Sequence, residues 1–364
     1  MLITSLAVFA MLYGEAPDAK HAWAVHDFNR PKPDKVEPAA VPGGAPSDAI
    51  VLFDGTRESF EKNWCDKDGH PSKWTLGTEG DFYSRDRWQN GGDIFTRAEF
   101  GDCQLHLEFR HEAEPLELDR EPQMRGNSGV FLMNWYTEIQ ILESYFTRRQ
   151  DCRVDTYSDG ISGAMYAENP PLVNAQRRPG EWQTYDIIFH QPVWDGLRLV
   201  HPGSVTLLFN GVVVQDHWEM EGLKTHERRK PLAPHKPTGQ LRLQDHGCVV
   251  HFRNIWYRPL ASRWANTTHS LMSGNENDVM ACRRNTAAEL YAKIADKESV
   301  SGANVLALGE VLAYADEPEY RAAFLRCLEA YRAKPGDAKE VAHVNERLGV
   351  LVKAGVLKAD QLVK

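Results

Sequence analysis

From Ala49 to Leu260, short apolar and polar runs alternate between turn-forming residues. In Gln104 to Arg110, Leu105, Leu107 and Phe109 fall on one side of an extended chain, and His106, Glu108 and Arg110 on the other. Glu138-Ile139-Gln140-Ile141 repeats the pattern, with a carboxylate and an amide opposite two isoleucines. So does Gln240-Leu241-Arg242-Leu243-Gln244. Ile50 to Phe53, Tyr185 to His190 and Val249 to Tyr257 read as further strands. Val205 to Phe209 and Val212 to Val214 flank Asn210-Gly211, a pair that tolerates the positive φ of a tight hairpin. Many strands with almost no helical period between them predict a mainly β, two-sheet antiparallel sandwich of the jelly-roll kind over 49–260.

After Leu260 the period changes. Residues 261–284 form a polar connector, and 285–364 a small helical bundle. Thr286-Ala287-Ala288-Glu289 has the form of a capping box opening a helix. Ala303 to Ala315 and Pro318 to Lys334 read as helices. Asp337 and Glu340 cap a fourth, whose stripe is Val341, Val344, Leu348 and Leu351. These helices carry no evident chemistry; they could pack on the sandwich or bind a protein partner. At the other end, the apolar run Leu2 to Tyr13 is too short to span a bilayer and fits a secretory leader over 1–24. This places the protein in the periplasm or outside the cell. Residues 25–48, rich in Pro and Gly, read as a linker, and His21 to Asp27 could dock on the main domain.

Composition narrows the function. A formal net charge of -9 excludes a broad nucleic-acid surface, which needs clustered Lys and Arg. Six cysteines permit disulfides without selecting a pairing, and no CxxC spacing suggests structural zinc. Asn266-Thr267-Thr268 is a glycosylation sequon only in a eukaryotic secretory host. Asp66-Lys67-Asp68-Gly69 begins like a calcium loop, but Gly77 stands at the twelfth position where a bidentate Glu is needed. There is no GxSxG, HExxH, P-loop or GxGxxG.

The polar strand faces remain as candidate chemistry. His106, Glu108 and Arg110 line one, Glu138 and Gln140 a second, Arg242, Gln244 and His246 a third. If these strands share one curved sheet, the side chains converge in a groove. Asn127 in the Gly126-Asn127-Ser128-Gly129 turn, Asn174 and Asp245 could hold hydroxyls; Trp135, Tyr145 and Trp182 could stack on sugar rings. Carboxylates, amides and aromatic rings together suit an oligosaccharide or glycoside.

The motifs also resemble a known family. They include Val51-Leu52-Phe53-Asp54-Gly55, Gly91-Gly92-Asp93-Ile94-Phe95-Thr96 and the run Phe100 to Arg110. Gly126 to Val130, Glu138 to Ser144, Pro170 to Asn174 and Gly180 to Asp186 follow, then Phe209-Asn210-Gly211, Leu241 to Gly247 and Phe252 to Trp256. In order and spacing residues 50–260 resemble the 3-keto-disaccharide hydrolase family, in particular a planctomycete-like secreted bacterial branch. Cys103 stands where an aromatic residue is expected, and Glu143 where Asp is frequent.

The resemblance implies a concanavalin-like jelly roll acting on glycosides already oxidised at C3. The ketone acidifies the C2 proton; its removal allows the glycosidic oxygen at C1 to leave, and water then adds to the alkene. On this reading Glu138 and His246 serve as base and acid, in either order, Arg110 stabilises the oxyanion and Glu108 orients or assists. Asn127, Gln140 and Gln244 hold hydroxyls. A divalent metal could take the stabilising role. Two other readings stand beside it. A conventional glycoside hydrolase would pair carboxylates such as Glu138 and Glu143, although five positions apart on a strand puts them on opposite faces. A noncatalytic carbohydrate-binding module needs only the aromatics and amides.

Overall fold

A computed structural model describes residues 14–84, 91–112, 122–133, 137–145, 156–225, 228–260 and 276–363. The Leu2 to Tyr13 run, Trp135, Cys152 and the sequon lie outside the described residues. The chain divides into two compact units, Lys35–Arg263 and Met1–Asp34 with Trp264–Lys364.

The first unit is an antiparallel two-sheet sandwich. Its eight-stranded sheet runs Val212–Glu219, Ser204–Phe209, Gln183–His190, Cys103–His111, Val250–Pro259, Phe82–Tyr83, Thr75–Leu76, with Ile50–Phe53 also pairing Val250–Pro259. Its five-stranded sheet runs Trp64–Cys65, Ile94–Phe100, Gly239–Leu243, Ser128–Leu132, Thr137–Ile141. The expected Asn210-Gly211 hairpin forms, with both residues at positive φ (51° and 80°) and Phe209 facing Val212. The period-2 pattern decides the core. Leu105, Leu107, Phe109 and Phe252 from one sheet meet Val130, Ile139, Ile141 and Leu243 from the other in one buried cluster. Each such side chain contributes about 1.5–3 kcal/mol on burial. Among the described residues Cys65, Cys103, Cys282 and Cys327 are free thiols.

This topology corrects one expectation. Cys103–His111, carrying Glu108 and Arg110, belongs to the eight-stranded sheet, whereas Glu138, Gln140 and Arg242 belong to the five-stranded one. Both strand sets turn their apolar sides into the shared core, so their polar sides point away from each other. No single groove can collect all three faces.

On the outer face of the eight-stranded sheet the polar groups satisfy one another. An extra residue in Val250–Pro259, between Arg253 and Trp256, forms a bulge in which Asn254 takes φ 47°. The Asn254 amide donates to Gly43 O and to Glu108 Oε1, both at 2.9 Å. The Trp256 indole also donates to Gly43 O, at 3.0 Å, and stacks on the His106 ring. His106 Nδ1 lies 2.6 Å from Asp186 Oδ1. Burial alone would push its imidazole down, but the Asp186 and Glu108 carboxylates outweigh that and raise it to about 9. Burial opposes ionisation of Glu108 too; hydrogen bonds with His106, Asn254 and Arg253 prevail and lower it to about 2. Arg110 bonds Glu79 at 2.8 Å, and both Arg110 and Arg253 lie over the Trp182 ring.

At the end of Cys103–His111, His111 is fully buried. Burial pushes its imidazole down to about 4, so it packs neutral, 3.3 Å from the Gln176 amide. Gly126 covers the ring with φ 58°; a Cβ there would sit 2.3 Å from a ring carbon.

The second unit contains four α-helices among its described residues: Glu276–Lys293, Gly302–Tyr314, Pro318–Ala333 and Ala338–Lys353. Asp337 caps the last, accepting from the Lys339 and Glu340 amides, and Val344, Leu348 and Leu351 are buried as the stripe requires. The first helix begins ten residues before Thr286. The Thr286 hydroxyl donates back to Cys282 O at 3.1 Å within that helix. The Thr-x-x-Glu spacing therefore marks a buried mid-helix threonine, because a β-hydroxyl can bond either a free amide or the preceding turn. The segment around Trp23 groups with these helices, not with the sandwich. Ala24 joins their core, Trp23 packs edge-on to Tyr314 at 6.1 Å, and Asn29 donates to Glu310 at 2.6 Å.

Two predictions follow from these contacts. A folded-state pKa above the ordinary histidine value means that the His106 contribution is complete below about pH 6.5 and disappears as pH rises through the raised value. Replacing His106 by Asn should lower the denaturation midpoint markedly near pH ~6 and much less near pH ~10; equal losses at both would contradict a charged His106. Gly126→Ala should cost at least ~2 kcal/mol, from backbone strain plus displacement of His111. Chemical denaturation reads it, and a loss under ~0.5 kcal/mol would show that the site relaxes freely.

Candidate functional site on the five-stranded sheet

Strand register builds the site. Cys65 pairs with Phe95, Phe95 with Arg242, Arg242 with Phe131 and Phe131 with Glu138. Directly paired residues share a face, so these five form a row across the outer side of the sheet. A second row lies beside it: Gln140 pairs with Gly129, and the Gln244 amide donates to Gly129 O at 3.0 Å.

Contacts with neighbouring groups orient the polar side chains of this surface. The Arg242 guanidinium lies 3.5 Å from the Phe131 ring centroid and is held by Asp93 at 2.9 Å. Asp93 also accepts from the Asp245 amide at 2.9 Å, and Asp245 accepts from Gly247 at 3.1 Å. That fixes the turn carrying His246, which is exposed. Glu138 is only 8% exposed, and its carboxylate passes over Gly129, where a Cβ would stand 2.7 Å from Oε1. Glycine at 129 is what makes room for the carboxylate. Gln140 donates to Asn127 at 3.3 Å, and Asn127 donates to Gln123 O at 2.7 Å.

Three polar atoms on this face remain unsatisfied. Gln140 Oε1, Gln244 Oε1 and Arg242 Nε are buried and have no hydrogen-bond partner among the described residues. Two acceptors and a cationic donor, left unpaired together, are costly in a folded chain unless a ligand completes them. They surround a carboxylate and an aromatic ring, which is the chemistry of a hydroxyl-rich substrate.

The sequence reading named Glu138, Gln140, Gln244, Asn127, Asp245 and His246, and the structure gathers them along these rows and the adjoining turn. Glu108 and Arg110 lie on the other sheet, in the ion pairs described above. Asn174 ties loops together, donating to Ser144 O at 2.8 Å. The Tyr145 amide donates to Glu143 at 2.8 Å, and Arg178 donates to its hydroxyl at 3.2 Å. Glu143 is fully buried, 3.9 Å from the equally buried Arg125. Sequence reasoning missed Phe131, Asp93 and Tyr166. Phe131 looked like core because it sits in an apolar run, and only its pairing with Glu138 shows which face it takes. Tyr166 donates its amide to Glu138 O at 3.1 Å and shares its hydroxyl with Tyr157 at 3.0 Å. Burial, Tyr157 and the Glu138 and Asp159 charges push its phenol well above the ordinary value, so it stays a protonated donor. No periodicity could have flagged it, because an isolated bridge and not a strand brings it in.

The one clustering of three metal-ligating side chains among the described residues is Asp66, Asp68 and His70. It follows Trp64–Cys65, at the opposite edge of the sheet from Thr137–Ile141, four strand spacings or ~19 Å away. Asp66 Oδ1 accepts from the Asp68 and His70 amides, both at 2.9 Å.

No curated protein matches the chain significantly. Among solved structures, one from Parabacteroides distasonis ATCC 8503, provisionally described as a glycosyl hydrolase, is 36% identical with a TM-score of 0.56. The match covers 66% of this chain and 98% of that one. A second, described in the same way and from the same organism, is 18% identical with a TM-score of 0.42, covering 62% of this chain and 100% of that one. The sequence profile of the 3-keto-alpha-glucoside-1,2-lyase-like domain matches residues 48–258, the whole sandwich. The chain therefore belongs to this family of carbohydrate-active domains, whose jelly roll it shares.

Proposed function

We propose that the sandwich cleaves 3-keto-glycosides by elimination across C1 and C2, followed by hydration. The observation that carries this reading is the set of unsatisfied Gln140, Gln244 and Arg242 atoms around Glu138 on one sheet face. A base must remove the C2 proton, and Glu138, held over Gly129, is the carboxylate at hand. The negative charge that develops on the C3 oxygen needs a fixed donor. Arg242, stacked on Phe131 and oriented by Asp93, takes the role expected of Arg110. The electron pair then re-forms the C3 carbonyl, makes the C1–C2 double bond and expels the glycosidic oxygen, which must be protonated. His246, on the exposed turn fixed through Asp245, is suited to supply that proton. Water adds at C1 and a proton returns to C2, releasing the 3-keto sugar. Gln140, Gln244 and Asn127 hold hydroxyls in register.

The test is a panel of 3-keto-disaccharides beside the matching unoxidised sugars, with and without chelator, following free sugar release. Only the keto sugars should be cleaved. Glu138→Gln and Arg242→Gln should each lower kcat at least ~100-fold with the fold intact. Cleavage of the unoxidised sugars would make this a conventional glycosidase. Binding without cleavage of either would make it a carbohydrate-binding module. Sensitivity to chelator would assign oxyanion stabilisation to a divalent metal.

Gly129→Ala probes the same geometry without removing a reacting group. The new methyl must displace the Glu138 carboxylate, the flexible partner in the clash. Turnover should fall by roughly 10-fold or more, the penalty of a small misplacement, while the melting temperature changes little. Unchanged turnover would mean that the position of Glu138 does not matter to the reaction.

A further inference from the structure

The helical unit holds a cavity that the sandwich chemistry does not use. It lies between the segment around Trp23 to Pro31 and the helix Glu276–Lys293, with a volume of about 540 Å³. That is within the ~300–1,000 Å³ usual for small-molecule sites. The segment supplies two aromatic rings, Trp23 and Phe28. The helix supplies a polar ladder: Asn285, Glu289 and Lys293 recur at intervals of four, so they project from one side of it. All three are exposed, and none has a hydrogen bond or ion pair among the described residues.

The lining selects a ligand class. An amide that both donates and accepts, a carboxylate acceptor and an ammonium donor stand in series. Asp278 lines the cavity as well, so two carboxylates disfavour an anionic ligand while Lys293 beside them disfavours a strongly cationic one. A purely apolar ligand would leave the polar rungs desolvated. A sugar ring satisfies both walls, since its hydroxyls donate and accept while its C–H face packs on an aromatic ring. We propose that this cavity is a second saccharide-binding site, separate from the sheet face and binding neutral pyranosides through Trp23, Phe28, Asn285, Glu289 and Lys293.

Cys282 gives the site a built-in reporter, because it lines the same cavity and is only partly buried. Burial pushes its thiol up, which lowers the thiolate fraction that a maleimide attacks. The other four described cysteines are buried. The full-length protein would be alkylated with a maleimide and the Cys282 peptide quantified by mass spectrometry. Gluco-, galacto- and manno-configured disaccharides would be added in turn.

A disaccharide with a Kd of about 1 mM, added at ~10 mM, should slow Cys282 labelling roughly tenfold. Asn285→Ala with Glu289→Ala should abolish that protection; both positions are exposed, and alanine favours helix. Glu138→Gln should keep it, which separates this proposal from the reading of the sheet face. Circular dichroism melts would verify that the double variant folds, and calorimetric titration of the unsubstituted protein gives a measurement independent of the thiol. No protection by any sugar, or equal protection in the double variant, would overturn the proposal.

Discussion

The candidate site depends on how two sheets share one core. Val130, Ile139, Ile141, Leu241 and Leu243 must face inward, and because side chains alternate, Phe131, Glu138, Gln140 and Arg242 must then face outward. A slip of one residue in any of these strands would bury charge and expose the apolar set. The free energy of the core therefore holds the polar rows in place, with no contribution needed from the polar groups themselves. That leaves Gln140, Gln244 and Arg242 able to keep atoms unsatisfied. Their cost, about 1–3 kcal/mol per group, is carried by the apolar face behind them.

The two outer faces show what that freedom means. On the eight-stranded sheet, His106, Glu108, Asn254 and Trp256 complete one another and bind Gly43, so the polar groups end up as fasteners. On the five-stranded sheet, the side chains are oriented but left incomplete. Arg242 is fixed by Phe131 and Asp93, Gln140 by Asn127, and the Asp245 turn by Asp93. A sequence of alternating polar residues looks alike in both cases. The difference is whether the neighbours across the sheet finish the hydrogen bonds.

Glycine marks where the backbone and a functional side chain compete for space. At Gly129 the Glu138 carboxylate occupies the volume that any Cβ would need, and at Gly126 the His111 ring does so. In the helical unit the comparable constraint is the segment around Trp23. It lends Ala24 to the core and bonds Glu310 through Asn29, and one wall of the cavity is made by residues remote in sequence from the other.

Local chemistry was enough to read strands such as Cys103–His111, Gly239–Leu243 and Val250–Pro259, the Asn210-Gly211 hairpin and the Asp337 cap, because each is decided by neighbours within a few residues. The alternation in Glu138 to Ile141 also fixed which side chains would be polar-facing, since period and burial are coupled along one strand. What the sequence could not decide was which strand lies beside which. Glu108 and Arg110 have the same local pattern as Glu138 and Gln140, yet long-range pairing sends them to another sheet. Thr286 could open a helix or sit inside one, and only packing of the turn before it settled the matter. Phe131 and Arg242 became partners of Glu138 through register between distant segments. Periodicity is a property of each strand alone, but a site is made where separate strands meet, and that meeting is set by tertiary packing.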